Sequence, residues 1–341
     1  MLIPIRTGKN NWSAQQPCIL LAGDIGGTKT NLASYKYDGK TFFLLKENKY
    51  RTKDYGDLGK MISDFLAGDK TPDRMCFGVA GPVLNGKVRI TNVPWGIDSK
   101  QISGLYNNIP VHLINDLETT AYGLAVLEEK DIHIVHKGKH TAGNWGIIAP
   151  GTGLGEAGLY WDGKTAHPFP TEGGHCDFAP RTDLDMDMFI YLKKKFGHVS
   201  WERLLSGPGI FTIYEFLRDV KEMDVPAWLT DKMLVHDDAP ALISENADDM
   251  PICTETMQLF MRYLAIEAAN LALKVKATAG IFIGGGILPK NLKYLDAHTF
   301  IKWFHDFGRM RHLLEDIPVK IILNDKTALL GAAWYAVNPN E

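Results

Sequence analysis

Short apolar runs broken by glycine set the rhythm of this chain before its first helical pattern appears. "CILLA" (18–22) is apolar, short and closed by Gly23, the pattern of a buried strand. "TNLASYKY" (30–37) predicts a second strand, Asp38-Gly39 a hairpin turn, and "KTFFLLKE" a third strand. "LGKMISDFL" (58–66) switches to helical spacing. "MCFGVA" (75–80) and "VHLIN" (111–115) read as further strands, the second running into a helix over 117–129. Hairpin-linked strands followed by strand–helix alternation predict a mixed α/β domain.

The same grammar restarts at "WGIIAP" (145–150): a strand, the glycine turn "GTGLG" (151–155), then the strand "AGLYWDG". Helices are predicted over 183–196, 209–220 and 254–276, the last with Met257, Met261, Leu264, Ala268, Leu271 and Val275 on one stripe. "GIFIGGGILP" (280–289) is a strand entering a glycine turn, and "VKIIL" (319–323) is one more strand. The echo between the two glycine hairpins is the only internal repetition; no tandem period of about 20–50 residues is present. Residues 1–17 read as a polar arm.

Composition narrows the function classes. At 341 residues and 45% hydrophobic, the chain is long enough for two domains with proper cores. A net charge of −3 gives no basic footprint, so no nucleic-acid partner is expected. Cys18, Cys76, Cys176 and Cys253 lie far apart without paired spacing and read as reduced thiols. No apolar run approaches the ~18 residues of a membrane span. Only "CILLA" follows Arg6 and Lys9, too little for a secretory core. A cytoplasmic protein is expected.

Candidate chemistry begins at Gly23–Thr30, "GDIGGTKT". It misses a Walker A loop by one residue, because Thr28 stands where that pattern needs glycine. A Walker loop also feeds a helix, whereas Asn31–Tyr37 reads as a strand. "GLGEAG" (153–158) matches the dinucleotide pattern, yet "LYWDGK" follows where a helix must start. What remains is phosphate held by β-hairpin turns. Gly26 and Gly27 let backbone amides approach phosphate oxygens, and Thr28 adds a hydroxyl. Asp24 would face a magnesium ion through water, since that ion dehydrates reluctantly. The plainer alternative is a tight hairpin with a solvated aspartate.

Further segments decide between these. "INDLETTAYGL" (114–124), "GTGLG" and "GGGI" (284–287) occur in the order found in the sugar kinases that share a fold with actin and the heat-shock chaperone ATPases. "TEGGHCDFAPR" (171–181) and "GHVSWERLLSGPGI" (197–210) resemble the bacterial glucokinase family, and the likeness runs from about Leu21 to Gly331. It implies a two-domain actin-like (ribonuclease H-like) α/β fold with the active site in the interdomain cleft. The small domain would comprise 18–115 and 325–341, with the larger domain over 116–324. It implies ATP and Mg2+ as cofactors, glucose as substrate and a homodimer. Asp116 would be the catalytic base, and Asn92, Asn115, Asp116, Glu172, His175 and Glu202 the sugar-binding residues. Gly23, Asp24, Ile25, Gly26, Gly27 and Thr28 would form the first ATP loop. Thr152 and Gly153 would form the second, and Gly284, Gly285 and Gly286 the adenosine turn.

The residues themselves carry plainer alternatives. Phosphoryl transfer to an alcohol needs positioning, charge neutralisation and a carboxylate to take the hydroxyl proton. Asp116, between a strand and a helix, suits that role, but it could equally be the helix N-cap. His175 alone would read as structural, and Glu202 as a first-turn carboxylate after Ser200. Two features depart from relatives. The repressor–kinase family binds zinc through several cysteines after its E-x-G-H segment, whereas only Cys176 is present here, so zinc is not expected. Glu156 puts a charge directly after "GTGLG", and the sequence offers no account of it. Rival functions are a kinase for mannose or an N-acetylated hexosamine, a non-enzymatic sugar-sensing regulator, and a chaperone-like ATPase.

Overall fold

Six of the eight residues of Cys18–Ile25 (β1) are buried, which fits a strand with a layer on each face. The computed structural model describes residues 3–6, 17–90, 93–236 and 238–339. β1 pairs antiparallel with Lys29–Tyr37 (β2), setting Asp24 opposite Asn31 and Ile25 opposite Thr30. β2 pairs antiparallel with Phe42–Arg51 (β3), and β1 runs parallel to Arg74–Val79 (β4) on its other side. A separate ladder joins Lys87–Arg89 (β5) to Gly96–Asp98 (β6); these three-residue strands carry no pattern long enough to predict. β4 then pairs parallel with Val111–Asn115 (β7), completing a sheet of order β3-β2-β1-β4-β7. Leu21, Ile25, Leu32, Phe65 and Phe77 lie in the core on this sheet.

The chain divides into two compact units, residues 1–131, 159–170 and 324–341 in the first and 132–158 and 171–323 in the second. The sequence expectation ended the small domain at 115. Residues 116–131 instead belong to the first unit, because helix Asp116–Gly123 packs along the C-terminal helix Thr327–Val337. Gly331 permits this: a Cβ there would lie 1.7 Å from the Thr119 carbonyl oxygen. The helix predicted over 117–129 stops at Gly123. The polar arm also needs correcting. Ile3 and Ile5 are buried, and the Arg6 N–H donates to the Ala166 carbonyl at 3.0 Å. Residues 7–16 lie outside the described residues.

The second unit contains Ile132–His136 (β8), Trp145–Pro150 (β9), the start of Leu154–Trp161 (β10), the end of Ala166–Thr171 (β11), Gly280–Ile283 (β12) and Val319–Ile322 (β13). Their sheet has the order β11-β10-β9-β12-β13-β8. Its first five strands repeat the order of the other sheet: a three-strand meander, then two strands parallel to the meander's inner strand. The echo between the glycine hairpins is thus a repeat of topology. Helix Pro251–Lys274 runs through the second core, and its stripe from Met257 to Leu271 is buried. Among the described residues no helix is long and apolar enough to cross a membrane.

Candidate active site

In the first unit, two candidate features stand at the C-terminal ends of β1 and β7, the strands on either side of β4. Residues 26–28 join β1 to β2, with the Gly26 N–H donating to the Lys29 carbonyl at 3.0 Å. A strand, not a helix, follows, as a hairpin phosphate loop requires. Thr52, which the sequence did not single out, braces this turn. Its hydroxyl donates to the Gly26 carbonyl at 2.7 Å and its N–H to the Thr28 carbonyl at 3.0 Å. Gly23 and Ile25 are buried within β1, and a Cβ on Gly23 would sit 2.5 Å from the Phe77 ring. Packing therefore explains that glycine, while Gly26, Gly27 and Thr28 form the accessible part of the turn.

Asp24 is half-buried beside Asn31. Burial raises its carboxyl to about 6, opposed by a hydrogen bond from Asn31. The Asn31 Oδ1 is buried without a hydrogen-bond partner. A carboxylate and an amide oxygen short of positive charge are hard donors that suit magnesium. No group of three or more His, Cys, Asp or Glu poised for a metal occurs among the described residues. The donor set thus fits an ion carried largely by nucleotide phosphates and water rather than by a protein cage.

At the end of β7 the structure removes the capping alternative for Asp116. Asn115, not Asp116, is the N-cap of helix Asp116–Gly123. Its Oδ1 accepts the Leu117 N–H at 2.9 Å, and Glu118 completes the capping box by accepting the Asn115 N–H at 3.2 Å. Asp116 is the first helical residue, and its Oδ1 also accepts from the Leu117 N–H at 2.9 Å. The cap is therefore satisfied without Asp116. Asn92, expected near the sugar, lies outside the described residues.

The second unit holds the remaining candidates. Residues 151–153 link β9 to β10, tied by a bond from the Gly151 N–H to the Gly153 carbonyl at 2.8 Å, with Thr152 exposed. Gly284–Gly286 adjoin this turn: the Gly284 N–H donates to the Ile148 carbonyl at 2.8 Å. Gly285 has φ +80°, and a Cβ there would lie 2.2 Å from the Pro150 carbonyl oxygen. Only glycine meets both conditions.

Glu172 precedes a single 3-10 turn, Gly173–His175, which His175 ends, and both are exposed. Its glycines serve close approach: a Cβ on Gly174 would meet the Leu154 carbonyl oxygen at 2.2 Å. Glu202, in the turn Trp201–Arg203, joins the two features. Its Oε2 accepts the Leu154 N–H at 3.0 Å, at the foot of the second glycine turn, while its Oε1 lies 3.9 Å from His175 Nδ1. The structure thus brings Glu202, His175 and Gly153 together within one unit, and Asp24, Gly26 and Thr28 within one hairpin of the other.

A sequence model described as Glucokinase matches residues 21–339. The chain belongs to the glucokinase family. It is similar to the glucokinase of Trichormus variabilis, 37% identical over 338 residues, covering 93% of this chain and 98% of that protein. The glucokinase of Nostoc punctiforme is likewise 37% identical over 339 residues, with 93% and 98% covered. Among solved structures, a glucokinase from an Antarctic psychrotroph superposes with a TM-score of 0.78 at 30% identity, covering 94% of this chain and 99% of that one. Family membership over this span takes in both glycine turns, Asn115-Asp116 and the Glu172–His175 turn.

Proposed function

We propose that this chain transfers the γ-phosphoryl group of ATP to the 6-hydroxyl of glucose, giving glucose 6-phosphate and ADP. Family membership over residues 21–339 supports the reaction. The observation that carries it to the residues is the Glu202 carboxylate, shared between the Leu154 N–H of a glycine turn and the neighbourhood of His175. Hydroxyl-binding groups and a phosphate-type turn therefore stand side by side on one framework.

In this reading Asn115, Glu172, His175 and Glu202 hold the sugar hydroxyls, with Asn92 added on resemblance. A hexose hydroxyl both donates and accepts, so mixed amide, carboxylate and imidazole partners suit it. Asp116 takes the proton of the 6-hydroxyl as that oxygen bonds to the γ-phosphorus. The bond from phosphorus to the β,γ-bridging oxygen breaks, and its electron pair leaves on ADP. Gly26–Thr28 and Thr152-Gly153 hold phosphates, and Gly284–Gly286 hold adenosine. Asp24 would hold the magnesium ion that accompanies the nucleotide, and that ion would supply charge neutralisation for the phosphates. An actin-like arrangement with the reaction in the interdomain cleft, a homodimer and a cytoplasmic location belong to the same proposal.

The test is ADP release by the purified protein across glucose, mannose and N-acetylglucosamine, with ATP or polyphosphate as donor. Glucose with ATP is expected to give the highest kcat/KM. A higher value for another sugar would overturn the glucose assignment, and no sugar-dependent ADP release would overturn the kinase reading.

A further inference from the structure

Glu156 lies in β10 between Leu154 and Ala157, only 1% exposed. A buried carboxylate without a matching cation costs several kcal/mol, so its neighbours decide its state. Glu267, fully buried on helix Pro251–Lys274, is the neighbouring charge that acts most strongly on it. Glu267 in turn accepts from Lys274 Nζ at 3.0 Å and from Asn270 Nδ2 at 2.7 Å. Lys274 supplies one positive charge for two carboxyls, and the exposed Cys176 is the other titratable group close to it. With both Glu267 oxygens already accepting, Glu156 is the member that carries the proton. Burial, reinforced by Glu267, raises its carboxyl to about 8.

The other side of Glu156 faces the Glu172–His175 turn. A Cβ on Gly173 would lie 2.0 Å from Glu156 Oε2, so the carboxyl occupies the space a side chain at 173 would need. The Glu156 carbonyl accepts from the Thr171 hydroxyl at 3.0 Å, and that hydroxyl accepts the Gly173 N–H at 3.1 Å. The Glu156 Oε1 is buried with no hydrogen-bond partner.

We infer that Glu156 is a positioning residue for the sugar: its neutral carboxyl, wedged between Glu267 and Gly173, seats the turn that carries Glu172 and His175. This rests on the assignment of those two residues to glucose. Ionisation would set two carboxylates against each other around one lysine. The wedge would then be expelled toward water, and the turn with it.

The experiment compares glucose KM, ATP KM and kcat from pH 7 to pH 9 for the full-length enzyme and three variants. A group titrating near 8 is neutral in about one molecule in eleven at pH 9, so wild-type glucose KM should rise about tenfold while ATP KM does not follow. Glu156→Gln keeps the shape but has no proton to lose, so its glucose KM should vary less than about twofold. Glu267→Gln removes the like charge and should move the rise to lower pH; it carries the test if Glu156→Gln does not fold. A wild-type KM without the rise, or one retained unchanged in Glu156→Gln, would overturn the inference. His175→Ala separates the premises. If it leaves glucose KM unaltered, the sugar assignment fails and the positioning role falls with it. If it raises KM while Glu156→Gln keeps the alkaline rise, only the positioning role fails.

Discussion

Replacing Asp116 by asparagine separates chemistry from architecture at one atom pair. The substitution keeps an oxygen that can accept the Leu117 N–H, now at 2.9 Å from Asp116 Oδ1. It leaves the cap intact, because Asn115 and Glu118 form the capping box. What disappears from the helix is one negative charge in its first turn, worth about 0.3–1 kcal/mol. What disappears from the proposed reaction is its proton acceptor, and loss of a general base lowers turnover ~10²–10⁴-fold. That is about 3–5 kcal/mol of barrier, several times the structural cost. Turnover would be followed by coupled ADP release, stability by denaturant unfolding, and glucose binding by calorimetry. The expected outcome is a collapse in kcat with a small stability change and modestly weakened glucose binding. A folded Asp116→Asn protein with kcat within threefold of wild type would refute the base assignment.

Asp24→Asn should lower kcat with MgATP yet stabilise the fold at pH 7. The folded carboxyl is raised to about 6 from its usual 3.8, so wild-type stability is complete below pH 4 and falls as pH rises through 6. The gain in the variant, on the order of 2–3 kcal/mol, should vanish near pH 4 in unfolding curves. Gly285→Ala should cost at least about 1–2 kcal/mol from the left-handed backbone alone, and raise ATP KM more than glucose KM. Glucose with a non-hydrolysable ATP analogue should reduce the radius of gyration in solution scattering, because water must be excluded before transfer outcompetes hydrolysis; an unchanged radius would count against a closing clamp.

Local pattern carried the hairpins furthest. The short apolar strands, the Asp38-Gly39 turn and the rejection of two helix-start glycine motifs were all legible, because strand period and turn chemistry are encoded within ten residues. The roles of Asn115 and Asp116 were not. Both are good caps, and only the extended backbone of Asn115, φ −64° and ψ 149°, shows which one takes the position. Glu156 was visible as a charge in an apolar strand, but its partner Glu267 sits far along the chain inside an apolar helix. Nothing local announces such a pair. Thr52 escaped notice for the same reason, since its bonds to the first glycine turn exist only after β2 and β3 have paired. Ile3 and Ile5 sit in the short apolar run "LIPI", too brief to read as an element ahead of the polar stretch that follows it.

Two carboxyls raised by burial, with opposite needs, should divide the pH dependence between the substrates. Asp24, raised by burial to about 6, would partner a cation only once ionised, so in the proposed reaction binding of magnesium-nucleotide should displace its proton. Glu156, raised further to about 8 by burial and by Glu267, is useful only while protonated. One carboxyl stands beside the first glycine turn in the first unit, the other beneath the Glu172–His175 turn in the second. The acid limb of the activity profile should therefore appear in the KM for MgATP, rising below pH 6, and the alkaline limb in the KM for glucose. Asp24→Asn should abolish the first limb alone and Glu156→Gln the second alone. A common origin for both limbs, such as a single group on kcat, would leave both KM values flat with pH and would contradict this division.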